Sequence, residues 1–448
     1  MSKKTFFSFL MIFFIFCNKD TLSESEIFLD TFESYIFNQS HSSDYIFNQN
    51  NLHRFDIYIS DKNLKTLDDD PSAENYVEGS IVFENKIIKK VGIRYKGSIG
   101  AWVGCLSGTD LLNPSGYKTC PKLSIKVKIN WNNNNKFYGL KKLQFHSQNS
   151  DNSKMHERLG YWMYRSFGIP APRSNHALIY INGEFNGVYA NTEHIDGPFV
   201  KNQFNDSDGN LYKEIWPIDD SGSSFQKYDY VNALKNNEEI ANVSKILNFA
   251  NEIESSDELT INQVIDKWID KNQFIKTIVV DRRISHDDGF LHWYGSPVSS
   301  FTNHNYFWYE NSLSDKFQLI PWDLDNAFDN IHFKKNPVIK IVDKWNETSN
   351  NCKGFPYGAG FIYQKSAACD KIIGSYASSI DLYNDLDQVF KDNYFNMSNI
   401  NNLLTKWSNQ IESSVIKANE KFNLQEINLN DWKNEIEVMK NEIELSLN

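Results

Sequence analysis

The chain has 448 residues, a formal net charge of −11 and aromatic residues at 15% of its length. That aromatic content excludes a disordered chain, and the length allows two or three domains' worth of core. The acidic balance excludes a general nucleic-acid binder, which needs a basic face.

The N-terminus reads as a targeting segment. Lys3 and Lys4 precede the apolar run Phe6–Phe16, which is too short to span a bilayer well. Cys17 follows directly, so residues 1–17 read as an export signal ending at a lipidated cysteine or at simple cleavage nearby. Membrane attachment is expected only through that lipid, because no later stretch is long and apolar enough to cross. Residues 18–50 read as a polar linker. It carries YIFNQ twice, at Tyr35–Gln39 and Tyr45–Gln49, and two copies do not make a solenoid.

Residues 51–145 read as a β-rich lobe. Phe55–Ile59, Tyr76–Glu84 and Lys86–Tyr95 alternate as strands. The loop RYKGSIGAWVG, Arg94–Gly104, offers Gly97, Gly100 and Gly104 beside Lys96 and Ser98. It is either a plain turn or a loop that lays backbone N–H groups on phosphate oxygens. In KLSIKVKIN, Ile125, Val127 and Ile129 face one way, and Ser124, Lys126 and Lys128 the other. This is a solvated edge strand, or a strand whose lysine reaches phosphates. Cys105 and Cys120 bracket a loop without a strong core, as do Cys352 and Cys369, and each near pair is expected to be disulfide-bonded in an exported protein. Without CxxC spacing the four make a poor zinc site.

Residues 146–335 read as the catalytic core. Lys154–Phe167 has the spacing of an amphipathic helix, ended by Gly168 and Pro170. Asn182-Gly183 joins the strands His176–Ile181 and Glu184–Asn191 as a hairpin, with Glu193 just beyond. Asp257–Ile284 is helical and leads into Asp287-Asp288 of SHDDG. Residues 336–448 hold the second disulfide loop and, from Asn401 to Leu447, mostly helix.

The stretch NYFWYENSLSDKFQLIPWDLD, Asn305–Asp325, concentrates the chemistry. A hairpin here puts Asn305 opposite roughly Ile320, with Asp323 and Asp325 just past that end. Two carboxylates and a carboxamide are hard oxygen ligands suited to Mg²⁺ or Mn²⁺. One of Asp287 and Asp288 can receive a hydroxyl proton. Asp287 is favoured, since Asp288 precedes Gly289 and suits a turn. A lone Asp-x-Asp is most often a solvated turn. Here Trp322 and Phe328 flank it, and the order Asp-Asp, Asn, Asp-x-Asp matches a phosphoryl-transfer site.

The blocks RYKGSIGAW, KLSIKVKI, HERLGYWMYRSFGIPAPR, ALIYINGEFNGVYANTEHID and FQLIPWDLDNAF together resemble the CotH kinase family, the spore coat protein H-like secreted atypical protein kinases. They run from Arg94 to Phe328, roughly half the chain. The resemblance implies an α+β, atypical protein-kinase-like fold, with a β-rich N-terminal lobe over a mainly helical C-terminal lobe. It also implies transfer of the ATP γ-phosphate, with Mg²⁺ or Mn²⁺, to Ser or Thr of a secreted or surface protein. By resemblance Lys126 holds the phosphates, with Lys128 as runner-up, and Arg94 and Lys96 lie in the phosphate-side loop. Glu157, or alternatively Glu193, pairs with that lysine. Asp287 or Asp288 is the catalytic carboxylate, and Asn305 and Asp323 bind metal, with Asp325 beside them. Two departures stand out. His156 replaces the family's usual Arg, and GFLHWYGSPVSSFT separates the acidic pair from Asn305. The competing readings are a surface adhesin or pseudokinase that binds a partner without catalysis, and a metal-dependent phosphohydrolase.

Overall fold

The computed structural model of the chain describes residues 29–37, 42–102, 104–110, 113–206, 208–286, 288–296, 300–328, 352–357, 362–376, 379–422 and 425–447. The expected export signal with Cys17 lies outside the described residues, and so does Asp287.

Alternating apolar and polar residues generate the first sheet. Its strands are β1 (Glu33–Ser34), β2 (His53–Ile59), β3 (Val77–Phe83), β4 (Lys86–Tyr95), β5 (Ile125–Lys128), β6 (Lys142–His146), β7 (Ser174–Ile181) and β8 (Glu184–Thr192). The order is β1-β4-β3-β2-β7-β8-β6-β5, and β4 also pairs with β5, which closes β2–β8 into a barrel. Closure leaves no free edge along the paired residues. β2 and β7 pair in parallel, while the Asn182-Gly183 turn joins β7 and β8 antiparallel. The barrel thus draws its last two strands from the segment read as catalytic core. Phe55, Ile57, Val91, Ile93, Ile125, Val127, Leu143 and Phe145 fill its interior. Each such side chain contributes about 1.5–3 kcal/mol by leaving water. The alternate residues of β4, β5 and β6 face outward, and that outer face is where the site forms.

The rest is α+β. β9 (Leu211–Lys213), β10 (Trp293–Gly295), β11 (Tyr306–Asn311), β12 (Lys316–Pro321), β13 (Phe355–Tyr357) and β14 (Ile362–Lys365) make two small sheets, β12-β11-β9 and β10-β14-β13. Helices Lys271–Arg283, Met397–Phe422 and Leu429–Leu447 share one core with them, built around Phe274, Ile278, Trp308, Trp407 and Trp432. No helix of the described residues is long and apolar enough to cross a membrane.

Three differences from the sequence reading matter. First, the β11–β12 register pairs Phe307, not Asn305, with Ile320. Strand β11 continues to Asn311, which faces Lys316, so the hairpin is longer than its aromatic run suggested. Asn305 then lies beyond Tyr306–Pro321, and its carbonyl accepts from Trp322 N–H at 2.9 Å. Asn305 is therefore bonded directly to the residue preceding Asp323. Second, the second YIFNQ copy is packed. Ile46 is buried, and Arg158 donates to the Gln49 side chain and carbonyl, each at 2.9 Å. A fully buried guanidinium needs such partners, which a polar linker does not provide. Third, Gly97 N–H is taken by Glu74 Oε1 at 3.1 Å, and Ile99–Trp102 form a short helix. The loop is not an open row of N–H groups. Both expected disulfides, Cys105–Cys120 and Cys352–Cys369, are present.

Candidate active site

A cleft of about 550 Å³ lies against the outer face of β4–β6. Arg94, Lys96, Lys126, Glu157, Asp288, Asp323 and Asp325 line it, so seven of the expected residues converge from positions up to 231 residues apart (325 − 94). Strand register explains the basic wall. Arg94 on β4 is opposite Lys126 on β5, and Lys126 is opposite Gln144 on β6. One row across three strands therefore presents two cations and a carboxamide.

The anionic wall comes from the other elements. Helix His156–Ser166 begins just before Glu157 and buries it in the first turn. The same helix positions the acidic turn. Gly160 meets Leu324 so closely that a Cβ would lie 2.8 Å from Leu324 Cδ1. The Tyr161 hydroxyl accepts Asp323 N–H at 3.0 Å, and His156 Nδ1–H donates to the Asp325 carbonyl at 2.9 Å. A carbonyl oxygen only accepts, so that His156 nitrogen carries the proton. The residue that departs from the family's Arg thus still fixes this turn. Asp323 takes a left-handed conformation at φ 55°, which Asp tolerates better than most residues.

The partner of the helix glutamate differs from the expected one. Glu157 does not pair with Lys126. Lys96 Nζ lies 2.8 Å from His146 Nε2, and His146 Nδ1 lies 2.7 and 2.8 Å from the two Glu157 oxygens. The Thr192 hydroxyl donates to Glu157 Oε2 at 3.2 Å. Lys96, not Lys126, is the lysine tied to the helix glutamate, and an imidazole stands between them. Glu193 is elsewhere: it holds Arg173 at 2.9 Å and does not line the cleft. Lys128 also falls outside the lining, with its Nζ 5.7 Å from the Tyr76 ring centre.

Asp288 is a cleft group, not merely a turn former. Its carboxylate accepts from the Tyr294 hydroxyl at 2.7 Å and from Asn305 Nδ2 at 2.8 Å. Tyr294 belongs to the segment that separates the acidic pair from Asn305, so that segment builds the site. Asn305 does not line the cleft; its NH₂ is committed to Asp288, which leaves its carbonyl oxygen as the group able to bind a cation. His286 ties this loop to the acidic turn, donating from Nε2 to the Asp323 carbonyl at 2.9 Å.

Charge is unevenly distributed. Burial, then Lys142, Lys96 and Arg94, push the Lys126 ammonium down to about 7. Burial and Asp323 push Glu157 up to about 8. Burial, then Asp323, Glu157 and Asp288, hold Asp325 well above the usual carboxylate range. Among the described residues, no group of three or more His, Cys, Asp or Glu is arranged to hold a metal ion by itself. Two further cleft groups escaped the sequence reading. Gln144 Nε2 and Gln148 Oε1 are buried without a hydrogen-bond partner. The signal for Gln144 and His146 was present in LQFH, where polar residues alternate with the barrel-filling Leu143 and Phe145.

The site therefore lines one cleft with a basic set and a carboxylate set, joined where His146 bridges Lys96 and Glu157. The sequence profile of the CotH kinase protein family matches residues 93–447. The inner spore coat protein H of Bacillus subtilis (strain 168) is 22% identical over 283 residues, 62% of this chain and 69% of that protein. The family match spans most of the chain and includes every residue of both walls, and the chain belongs to the CotH kinase protein family.

Proposed function

We propose that the protein is an exported atypical protein kinase that transfers the ATP γ-phosphate to Ser or Thr of a secreted or surface protein. The observation that carries this reading is the convergence of Arg94, Lys96 and Lys126 with Glu157, Asp288, Asp323 and Asp325 in one cleft. A polyphosphate needs the first set, and a divalent cation bridging to phosphates needs the second.

The residues fit Mg²⁺ or Mn²⁺ on their chemistry. Such ions at nucleotide sites take one or two protein carboxylates and complete their shell with phosphates and water, so a full protein cage is not required. Asp323 and Asp325 would hold the ion, with the Asn305 side-chain oxygen, beside Asp288, as a further ligand. Burial first, and then Asp323, raise the Asp325 carboxyl, and a bound cation would offset both. When bound, the ion neutralises phosphate charge. Lys96, Lys126 and Arg94 would bind the phosphate oxygens, with Gln144 Nε2 as a further donor. Asp288, oriented by Tyr294 and Asn305, would accept the proton of the acceptor hydroxyl. Phe307 and Trp322 wall the cleft and limit water around these charges. The export part of the reading rests on the N-terminal Lys3–Cys17 segment and on the spore coat name of the relative.

The test is incubation of the purified chain with γ-labelled ATP and either metal, beside Asp323→Ala. Label on the protein or on a generic Ser/Thr acceptor, lost in the variant, supports the kinase. No label and no nucleotide-induced thermal shift would leave a binding module, and free phosphate without labelled protein would indicate a phosphohydrolase.

A further inference from the structure

The chain Lys96–His146–Glu157 has two arrangements of charge, because an imidazole between the two groups passes a proton by exchanging tautomers. In one, Lys96 is an ammonium that donates to Nε2, while Nδ1–H donates to the Glu157 carboxylate. In the other, Glu157 carries the proton and donates to Nδ1, while Nε2–H donates to a neutral Lys96 amine. The two differ by the shift of one proton along the chain, with no change in net charge and no external acid or base.

The geometry supports both. The two links are 2.8 Å and 2.7 Å, and His146 and Glu157 are 7% and 1% exposed. The surroundings are known from each side. Trp322 lies edge-on to the imidazole at 5.8 Å and also faces Lys96 Nζ, 5.4 Å from its ring centre. Asp323 and Asp325 face Lys96 from the acidic turn, and Lys213 opposes them. Lys126 and Asp323 face His146. Thr192, Asp323 and Asp151 face Glu157, which in turn faces Tyr161. Burial disfavours every charged form here, pushing Lys96 and His146 down and Glu157 up. Burial of the whole chain favours the form with neutral Lys96 and protonated Glu157, and an anion placed against Lys96 favours the other.

We propose that His146 is a positioning residue that charges Lys96 when a phosphate group enters the cleft, by relaying the Glu157 proton through its neutral imidazole. This rests on the reading of the cleft as a phosphate-binding site. It goes beyond that reading by making the phosphate lysine switchable, so that a buried ammonium exists only while its anion is present.

The test is ¹⁵N NMR of the full chain at pH 7.5 with labelled histidine. The His146 signals are those missing from His146→Gln, and the probe is inorganic pyrophosphate. The expected result is a neutral ring that changes from the Nε2–H to the Nδ1–H tautomer as pyrophosphate is added. Binding measured alongside should show His146→Phe losing at least about tenfold in ATP affinity with AMP affinity unchanged. An imidazolium at pH 7.5, one tautomer throughout while pyrophosphate binds, or wild-type ATP affinity in His146→Phe overturns the relay but spares the phosphate cleft. Failure of the wild-type chain to bind ATP or pyrophosphate overturns both.

Discussion

His286 donates its Nε2–H to the Asp323 carbonyl oxygen at 2.9 Å, across 37 residues of sequence. Its other nitrogen faces Asp281 Oδ2 at 3.3 Å, and Tyr164 donates to that same oxygen at 3.1 Å. The loop bearing Asp288 and the turn bearing Asp323 are thus one mechanical unit anchored on the buried end of helix Lys271–Arg283.

Breaking that link should displace the acidic turn without removing any cation-binding oxygen. His286→Ala is expected to weaken Mn²⁺ affinity in the presence of nucleotide by about 10–100-fold, the range for groups that orient metal ligands. Electron paramagnetic resonance titration of free Mn²⁺ measures this. Unchanged affinity would show that the Tyr161 bond to Asp323 N–H suffices.

Asp288→Asn should still bind Mg-ATP but transfer phosphate at least about 100-fold more slowly, the lower range for loss of a positioned base. Burial pushes the Asp288 carboxyl above the usual carboxylate range. A base acts deprotonated, so kcat/KM should fall as pH drops through that raised value, leaving an acid limb above the ordinary Asp range. A profile flat down to pH 4 would remove Asp288 from this role.

Glu157 gives a stability prediction with a definite sign. Its folded-state pKa is raised to about 8 from 4.5, chiefly by burial and by Asp323. The stabilisation from the protonated form is complete below the unfolded value and is lost as pH rises through the folded one. Glu157→Gln lacks this loss. The Tm of nucleotide-free Glu157→Gln relative to wild type should therefore climb between pH 5 and pH 8. A constant difference across that window would show that Glu157 stays ionised.

The disulfide Cys105–Cys120 closes a loop with a sequence separation of 15 residues. Asn149, which lines the cleft, donates to the Lys122 carbonyl at 3.0 Å beside this bridge. Replacing both cysteines by serine should lower stability by about 3 kcal/mol, as expected for a loop of this size. Urea unfolding with unchanged m-value checks it. A loss under about 1 kcal/mol would show that the loop is held by its other contacts.

Where one face of an element is buried, the sequence announced it. β4, β5, the β7–β8 hairpin and helix His156–Ser166 follow from alternation, Asn182-Gly183 and Gly168, because those signals are local. Barrel closure by β4–β5 is a pairing over some 30 residues and has no local marker. The same limit governs the site. In sequence Lys126, with Lys128 as runner-up, reads as the lysine to pair with the helix glutamate, and Lys96 only as part of the phosphate-side loop. Only the hydrogen bonds of His146, 50 residues from Lys96 and 11 from Glu157, mark Lys96 as the linked one. The sheet β10-β14-β13 was missed because its strands are three or four residues long and show no alternation.

The most direct test of the account is a crystal soaked with a non-hydrolysable ATP analogue and Mn²⁺, read by manganese anomalous scattering. The account predicts a peak bonded to Asp323, with phosphate density against Lys96 and between the two charged walls. A nucleotide bound outside this cleft, or phosphates in it with no manganese on Asp323 or Asp325, would contradict it.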